Sequence, residues 1–172
     1  MKALQLIKYG EIKDSLAFNE VSKPSIQAND LLIEVKAAAI NPIDKLIILG
    51  NLQGMIPIPL PSTLAYDVSG IVVEKGDEVN NFEIGDLVYS RVPQEQMGTI
   101  AEFVAVTSDA VSKKPGNITF EEAAGLPLAG LTALQSLEYA GIKEDDKVLI
   151  HAGSGGVGSF AIQYAKAKGA YV

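Results

Sequence analysis

The residues with the plainest chemical meaning are six in a row near the end of the chain, Gly153 to Gly158 (GSGGVG), which fit G-x-G-x-x-G. Glycines at that spacing permit a tight turn, let backbone amides approach a pyrophosphate and bring a helix close against a strand. An apolar run, Lys147–Ala152 (KVLIHA), precedes the loop, and a helix-period stretch, Phe160–Gly169 (FAIQYAKAKG), follows it. Strand, glycine turn and helix in that order put free amides and about half a unit of positive dipole charge where a phosphate would lie. Ser154, Gly155, Gly156, Val157 and Gly158 are therefore the expected pyrophosphate-binding residues. The group that reads the adenosine ribose falls about 20 residues past the start of such a motif. That position lies at or beyond Val172, so the loop does not discriminate NADPH from NADH. His151, the only histidine, ends the apolar run beneath the loop and reads as a support of the turn.

Composition narrows the chemistry further. The net charge is −7 over 172 residues with a pI near 4.7, which offers no basic footprint for nucleic acid. Cysteine is absent, which removes disulfides, thiolate ligands and cysteine nucleophiles and fits a reducing, cytoplasmic home. One histidine and no cysteine leave no ordinary donor set for a catalytic zinc. The longest uncharged stretch, Ala123 to Leu137, carries Pro127 and several glycines and falls short of the roughly 20 apolar residues of a membrane helix. The N-terminal residues read as an interrupted strand and not as an export signal.

Three regions must position the loop. Residues 1–118 are a succession of β-branched runs (LLIEVKAAAI, VSGIVVEKG, DLVYSRV, IAEFVAV) divided by turn residues, the pattern of a small barrel or curled sheet. Lys75-Gly76-Asp77 and Gly85-Asp86 mark chain reversals that need positive φ or a side chain bonding its own backbone. Residues 119–144 read as connecting helices: Thr119 and Glu122 have capping-box spacing, Pro127 interrupts, and Gly141 closes a second stretch from about Ala129 to Ala140. Residues 145–172 are the first β-α-β portion of a dinucleotide-binding domain. One such unit cannot cover both faces of a parallel sheet, so the expectation is a truncated α/β architecture belonging to a longer chain, with the 172 residues inactive alone.

Six blocks in this order carry a family resemblance. They are Val35–Asp44 (VKAAAINPID), Ala65–Gly70 (AYDVSG), Phe82–Val88 (FEIGDLV), Gly98–Val104 (GTIAEFV), Leu126–Ala133 (LPLAGLTA) and the Gly153–Gly158 loop. Together they resemble the zinc-independent medium-chain dehydrogenase/reductase family, its quinone oxidoreductase and enone reductase group, in which a GroES-like β-barrel domain precedes a Rossmann domain. Zinc-dependent relatives have Cys at the position of Asn41 and His at that of Tyr66, so the resemblance implies hydride transfer without a metal. It implies NADPH as cofactor, with NADH as the alternative, a small quinone or α,β-unsaturated carbonyl as substrate, and a full-length homodimer. Asn41 would contact the cofactor ribose or the substrate, Thr132 the nicotinamide end, and Tyr66 would line the pocket. For each a structural role competes: a turn cap for Asn41, a helix hydroxyl bonding its own turn for Thr132, packing for Tyr66. Asp44 reads mainly as a turn residue. Leu52 stands where enoyl-thioester reductases have a tyrosine donor, which weighs against a thioester substrate; Leu46 stands where many enone reductases have lysine, so the contact to phosphate or substrate that the lysine would make is not implied here. A non-catalytic GroES-like binding module is the reading from a different class.

Overall fold

β-Branched runs separated by turns fold as antiparallel strands because each must bury one face and pair its backbone. In the computed structural model, which describes residues 1–172, they form the first of two compact units, Met1–Gly125 and Leu126–Val172. The first contains β1 (Lys2–Leu6), α1 (Ile12–Ser15), β2 (Leu16–Glu20), β3 (Asp30–Ala39), α2 (Pro42–Ile48), β4 (Ser62–Thr63), β5 (Asp67–Lys75), β6 (Leu87–Arg91), β7 (Phe103–Thr107), β8 (Val111–Lys113) and α3 (Phe120–Ala124). The second contains α4 (Pro127–Tyr139) and α5 (Gly156–Ala167). The expected curled β-unit consists of two sheets with strand orders β2-β1-β4 and β7-β3-β5-β6-β8. A bridge between Ala3 and Ala101 joins β1 to the chain entering β7. Leu31, Ile33, Val68, Val72, Val88 and Val106 are fully buried and make the core of the larger sheet.

β3 and β5 form the longest pairing. Each strand carries one irregularity: the register shifts between Leu32 and Ile33, and shifts back between Val35 and Ala37. Val73 and Lys36 are the extra residues, one per strand, so the two offset each other and Ala39 pairs with Asp67 in the register that began with Leu31 and Lys75. Gly70 sits opposite Val35 within this stretch, and a Cβ there would lie 2.1 Å from the Glu34 carbonyl oxygen. No side chain fits at that distance.

The two expected reversals hold for different reasons. Gly85 has φ +96°, and Asp86 accepts the Glu83 amide at 2.9 Å, as the turn chemistry requires. Gly76 is needed for space and not for φ, since a Cβ would come within 2.2 Å of the Ala28 carbonyl oxygen.

The 119–144 region divides between the units. Thr119 and Glu122 form the expected capping box, with Thr119 N donating to Glu122 Oε2 at 2.8 Å and Glu122 N to Thr119 Oγ1 at 3.2 Å. The short α3 that follows packs on β3, β5 and β6, and Ser69 Oγ donates to the Phe120 carbonyl at 2.5 Å. α4 belongs to the second unit, begins at Pro127 and gives way to Gly141 in the left-handed region at φ +68°.

The strand expected over Lys147–Ala152 is a correction. Only a parallel bridge, Lys147 with Tyr171, is present, supported by Val148 N to Tyr171 O and Tyr171 N to Asp146 O, both 2.8 Å. A parallel strand needs ladder partners on its flanks, and here Val148–Ile150 has a single two-residue neighbour, leaving Leu149 83% exposed.

Gly70→Ala is expected to destabilise the first unit by about 3 kcal/mol, because backbone and not a flexible side chain must yield. Gly116→Ala, which meets nothing within 4 Å, should change stability by less than about 0.5 kcal/mol. Urea denaturation of both variants checks the pair.

Candidate functional site

The register of β3 and β5 builds the polar cluster of the first unit. Because Ala39 pairs with Asp67, the chain leaving β3 meets the chain entering β5, and Asn41 Nδ2 donates to Asp67 Oδ2 at 2.9 Å. Asn41 is the N-cap of α2, with Pro42 at the first helical position. Its backbone amide donates to Asp44 Oδ2 at 2.7 Å, while Asp44 N donates back to the Asn41 carbonyl at 3.0 Å. Asn41 is thus held at both backbone and side chain, and it is half-buried, with part of its surface open.

Asp44 is 2% exposed, and its Oδ1 has no hydrogen-bond partner. Burial pushes its carboxyl above the usual carboxylate range, against the pull of the Asn41 amide. Tyr66 is 1% exposed and its hydroxyl also lacks a partner. Burial raises the hydroxyl pKa; the Arg91 guanidinium, 5.1 Å from the ring centroid, pulls it down, and the charges of Asp44 and Glu95 push it up again. Just before Tyr66, buried Ala65 takes a left-handed φ of +74°, a conformation costing about 1 kcal/mol for a residue with a Cβ. Its carbonyl accepts from Gly98 N at 3.0 Å and Thr99 N at 3.3 Å, which hold it there.

The glycine loop forms the expected turn in the second unit. Gly155 is the N-cap of α5 and supplies no side chain. The first amide to bond within the helix is Ser159 N, to Gly155 O at 2.9 Å, so the amides of Gly156, Val157 and Gly158 precede the ladder and are available to an anion. Gly158 is required for close packing: a Cβ would lie 2.2 Å from the Ala152 carbonyl oxygen, and Ala152 itself has φ +53°. At Gly156 a Cβ would make only ordinary contact with Ala129 at 3.5 Å, and at Gly155 the nearest atom is Ala152 O at 3.3 Å. Ser154, Gly155, Gly156 and Val157 are exposed on this turn, as is His151.

Of the sequence-expected residues, Asn41 and Tyr66 fall in the first unit and Thr132, Ser154, Gly155, Gly156, Val157 and Gly158 in the second. Thr132 Oγ1 donates to the Leu128 carbonyl at 2.7 Å, so its hydrogen is spent on its own helix while its lone pairs remain. Tyr66 lies in the core, with its hydroxyl out of contact with solvent. Asp44 and Asp67 are the members that sequence reading undervalued. The signal was present: Asn41 and Asp44 stand three apart before an apolar run, the spacing recognised at Thr119 and Glu122. No group of three or more His, Cys, Asp or Glu side chains converges in a way that could hold a metal ion.

A two-sheet β-unit followed along the chain by a glycine turn that opens a helix is the order of parts in medium-chain dehydrogenases and reductases. Residues 27–116 match the alcohol dehydrogenase GroES-like domain, and the chain belongs to that family. It is 40% identical, over 96% of its length and 44% of the relative's, to the 2-methylene-furan-3-one reductase of Solanum lycopersicum. It is 39% identical over its whole length, and 54% of the relative's, to the chloroplast envelope quinone oxidoreductase homolog of Arabidopsis thaliana. The crystal structure of Escherichia coli quinone oxidoreductase complexed with NADPH superimposes with a TM-score of 0.87 at 33% identity, covering 99% of this chain and 51% of that one. The chain spans about half the length of the curated relatives it matches.

Gly158→Ala is expected to destabilise the second unit by about 2 kcal/mol or more, since the clash is with backbone. Gly156→Ala should stay within about 1 kcal/mol of the parent. Thermal unfolding of the two variants, side by side, separates packing from ligand approach at neighbouring glycines.

Proposed function

We propose that the full-length protein is an NADPH-dependent oxidoreductase that reduces quinones or the activated C=C bond of α,β-unsaturated carbonyls, without zinc. The observation that carries this reading is the glycine turn, whose Gly156, Val157 and Gly158 amides lie free at the N-terminus of a 12-residue helix. The reductase and quinone oxidoreductase names of the relatives supply the substrate class, and the NADPH complex of the bacterial protein supplies the cofactor.

When bound, the reduced nicotinamide supplies the hydride. The protein's own contribution is positioning and polar contact. Gly156, Val157 and Gly158 donate backbone N–H to pyrophosphate oxygens, assisted by the α5 dipole, and Ser154 lies on the same turn. Thr132 keeps acceptor lone pairs for a donor on the nicotinamide end. Asn41, fixed through Asp44 and Asp67, has a second side-chain N–H to give to a substrate carbonyl or to interact with a ribose hydroxyl. Tyr66 is buried in the first unit, and its part there is packing. Absence of Cys, the single His and the lack of a convergent donor cluster favour chemistry without a metal.

No helix is long and apolar enough to cross a membrane, and the net charge of −7 disfavours nucleic acid as a partner. We assign the full-length protein to a cytoplasmic homodimer, the reducing compartment being favoured by the cysteine-free composition.

Gly156→Val in the full-length protein places a branched side chain where the pyrophosphate approaches and is expected to weaken NADPH binding by about 10- to 100-fold. Calorimetric titration with NADPH, read against circular dichroism of the same sample, checks it. Unchanged affinity with intact fold removes the glycine turn from the cofactor site. Absence of NADPH oxidation with any quinone or enone removes the reductase reading.

A further inference from the structure

A cation drawn partly out of water is normally bonded to an acceptor, because lost hydration must be compensated. Among the basic residues of this protein, Lys75, Arg91 and Lys114 are half-buried and the rest are exposed. Lys75 bonds the Phe82 carbonyl and Glu83, and Lys114 bonds the carbonyls of Pro115 and Ile118. Arg91, the only arginine in the chain, is different. Its guanidinium makes neither a hydrogen bond nor an ion pair within the protein and instead lies over the Tyr66 ring, 5.1 Å from the centroid. An aromatic ring engages a cation without using its N–H groups, so the five donors of a planar fork stay unspent.

The position of this fork gives it meaning. Arg91 stands directly opposite Asp67 in the ladder of β5 and β6, and residues paired in that way project to the same face of the sheet. Asp67 is engaged by the Asn41 side chain at 2.9 Å. Asn41 and Arg91 therefore flank one buried carboxylate, the first bonded to it and the second across the ladder from it. Glu95, four residues further along the chain, is exposed and makes no ion pair with Arg91.

We propose that Arg91 is an oxyanion-binding residue of the reductase site, holding a carboxylate of the substrate or a phosphate of the cofactor on its free guanidinium. The role rests on the reading of Asn41 as a wall of that site. Carboxylate and phosphate present the same pair of oxygens to the fork, so either source satisfies the same chemistry. A net charge of −7 repels both from the protein as a whole. An anion arriving beside Asn41 thus needs a local positive charge, which Arg91 supplies without breaking any bond of the fold.

The test compares the full-length wild type with Arg91→Met, which keeps an apolar stem over Tyr66 without charge, and with Arg91→Lys, which keeps the charge without the fork. Calorimetry reads the affinity for NADPH and for levulinate, a keto acid with no C=C bond to reduce, while circular dichroism checks the fold. Turnover with NADPH compares acetylacrylate, an enone carrying a carboxylate, with its uncharged methyl ester. If the oxyanion belongs to the substrate, wild type prefers the acid to the ester by about tenfold or more in kcat/KM. Arg91→Met then loses that preference and its levulinate affinity, with the ester and NADPH unaffected, and Arg91→Lys falls between. If it belongs to the cofactor, Arg91→Met weakens NADPH binding by about tenfold or more and Arg91→Lys by less, and acid and ester turnover fall together.

A folded Arg91→Met that binds NADPH and levulinate as wild type does, or that lowers acid and ester turnover equally at unchanged NADPH affinity, overturns the proposal. Should Arg91→Met fail to fold, equal wild-type turnover of acid and ester together with full NADPH affinity in Arg91→Lys overturns it. If wild type reduces no quinone or enone, the methyl ester included, the reductase reading fails, and the two titrations still decide the role of Arg91.

Discussion

The pairing of β3 with β5 is the constraint on which the rest of the first unit depends. Two strands of this length could pair in several registers, and a slip of one residue would exchange the buried and exposed faces of the whole strand. Here the backbone contact at Gly70 admits no Cβ, and one extra residue on each strand restores the starting register. The pairing of Ala39 with Asp67 follows, and it delivers Asn41 to Asp67 within hydrogen-bond distance. A local packing rule, a glycine where two backbones touch, is thereby converted into the placement of the Asn41 side-chain amide.

Polar groups near this strand end share one logic. Asn41 spends its backbone amide on Asp44 and one side-chain donor on Asp67, which leaves little freedom for the residue while part of its surface stays open. Left-handed Ala65 is held by two amides, so the entry into β5, like the exit from β3, is fixed by hydrogen bonds. Rigidity of this kind is what positioning demands: a contact group offset by an ångström loses much of its effect on a reaction. The second unit solves a different problem with the same economy. Gly158 gives close packing, Gly155 and Gly156 leave room, and the amides between them remain unbonded for an anion.

Much of this was legible in order along the chain, because turn residues and capping pairs act over three or four positions. The Thr119–Glu122 box, the left-handed Gly141 and the Gly85–Asp86 reversal all stand as their sequences imply. Gly76 shows the limit: its sequence context suggests a φ requirement, whereas the actual cause is the Ala28 carbonyl, 48 positions upstream and brought near only by folding. Lys147–Ile150 shows another. Its composition specifies a strand buried on both faces, yet a ladder forms only where other strands stand beside it, and here one bridge to Tyr171 is what the chain supplies.

By itself, then, the sequence determined the β-unit with its turns, the capping box at Thr119, the glycine turn and the absence of thiol chemistry, all of which depend on residue type and short spacing, whereas the short helices α1 and α2 and the start of α4 at Pro127 were not read from it. Tertiary structure alone decided that Asp44 is buried and not a solvated turn residue, that Asn41 is gripped from two sides, and that the Tyr66 hydroxyl lies in the core. The physical reason is that burial and desolvation belong to no single residue. They arise when segments distant along the chain close over the same volume, and the resulting shift in a carboxyl's proton affinity exists only in that enclosure.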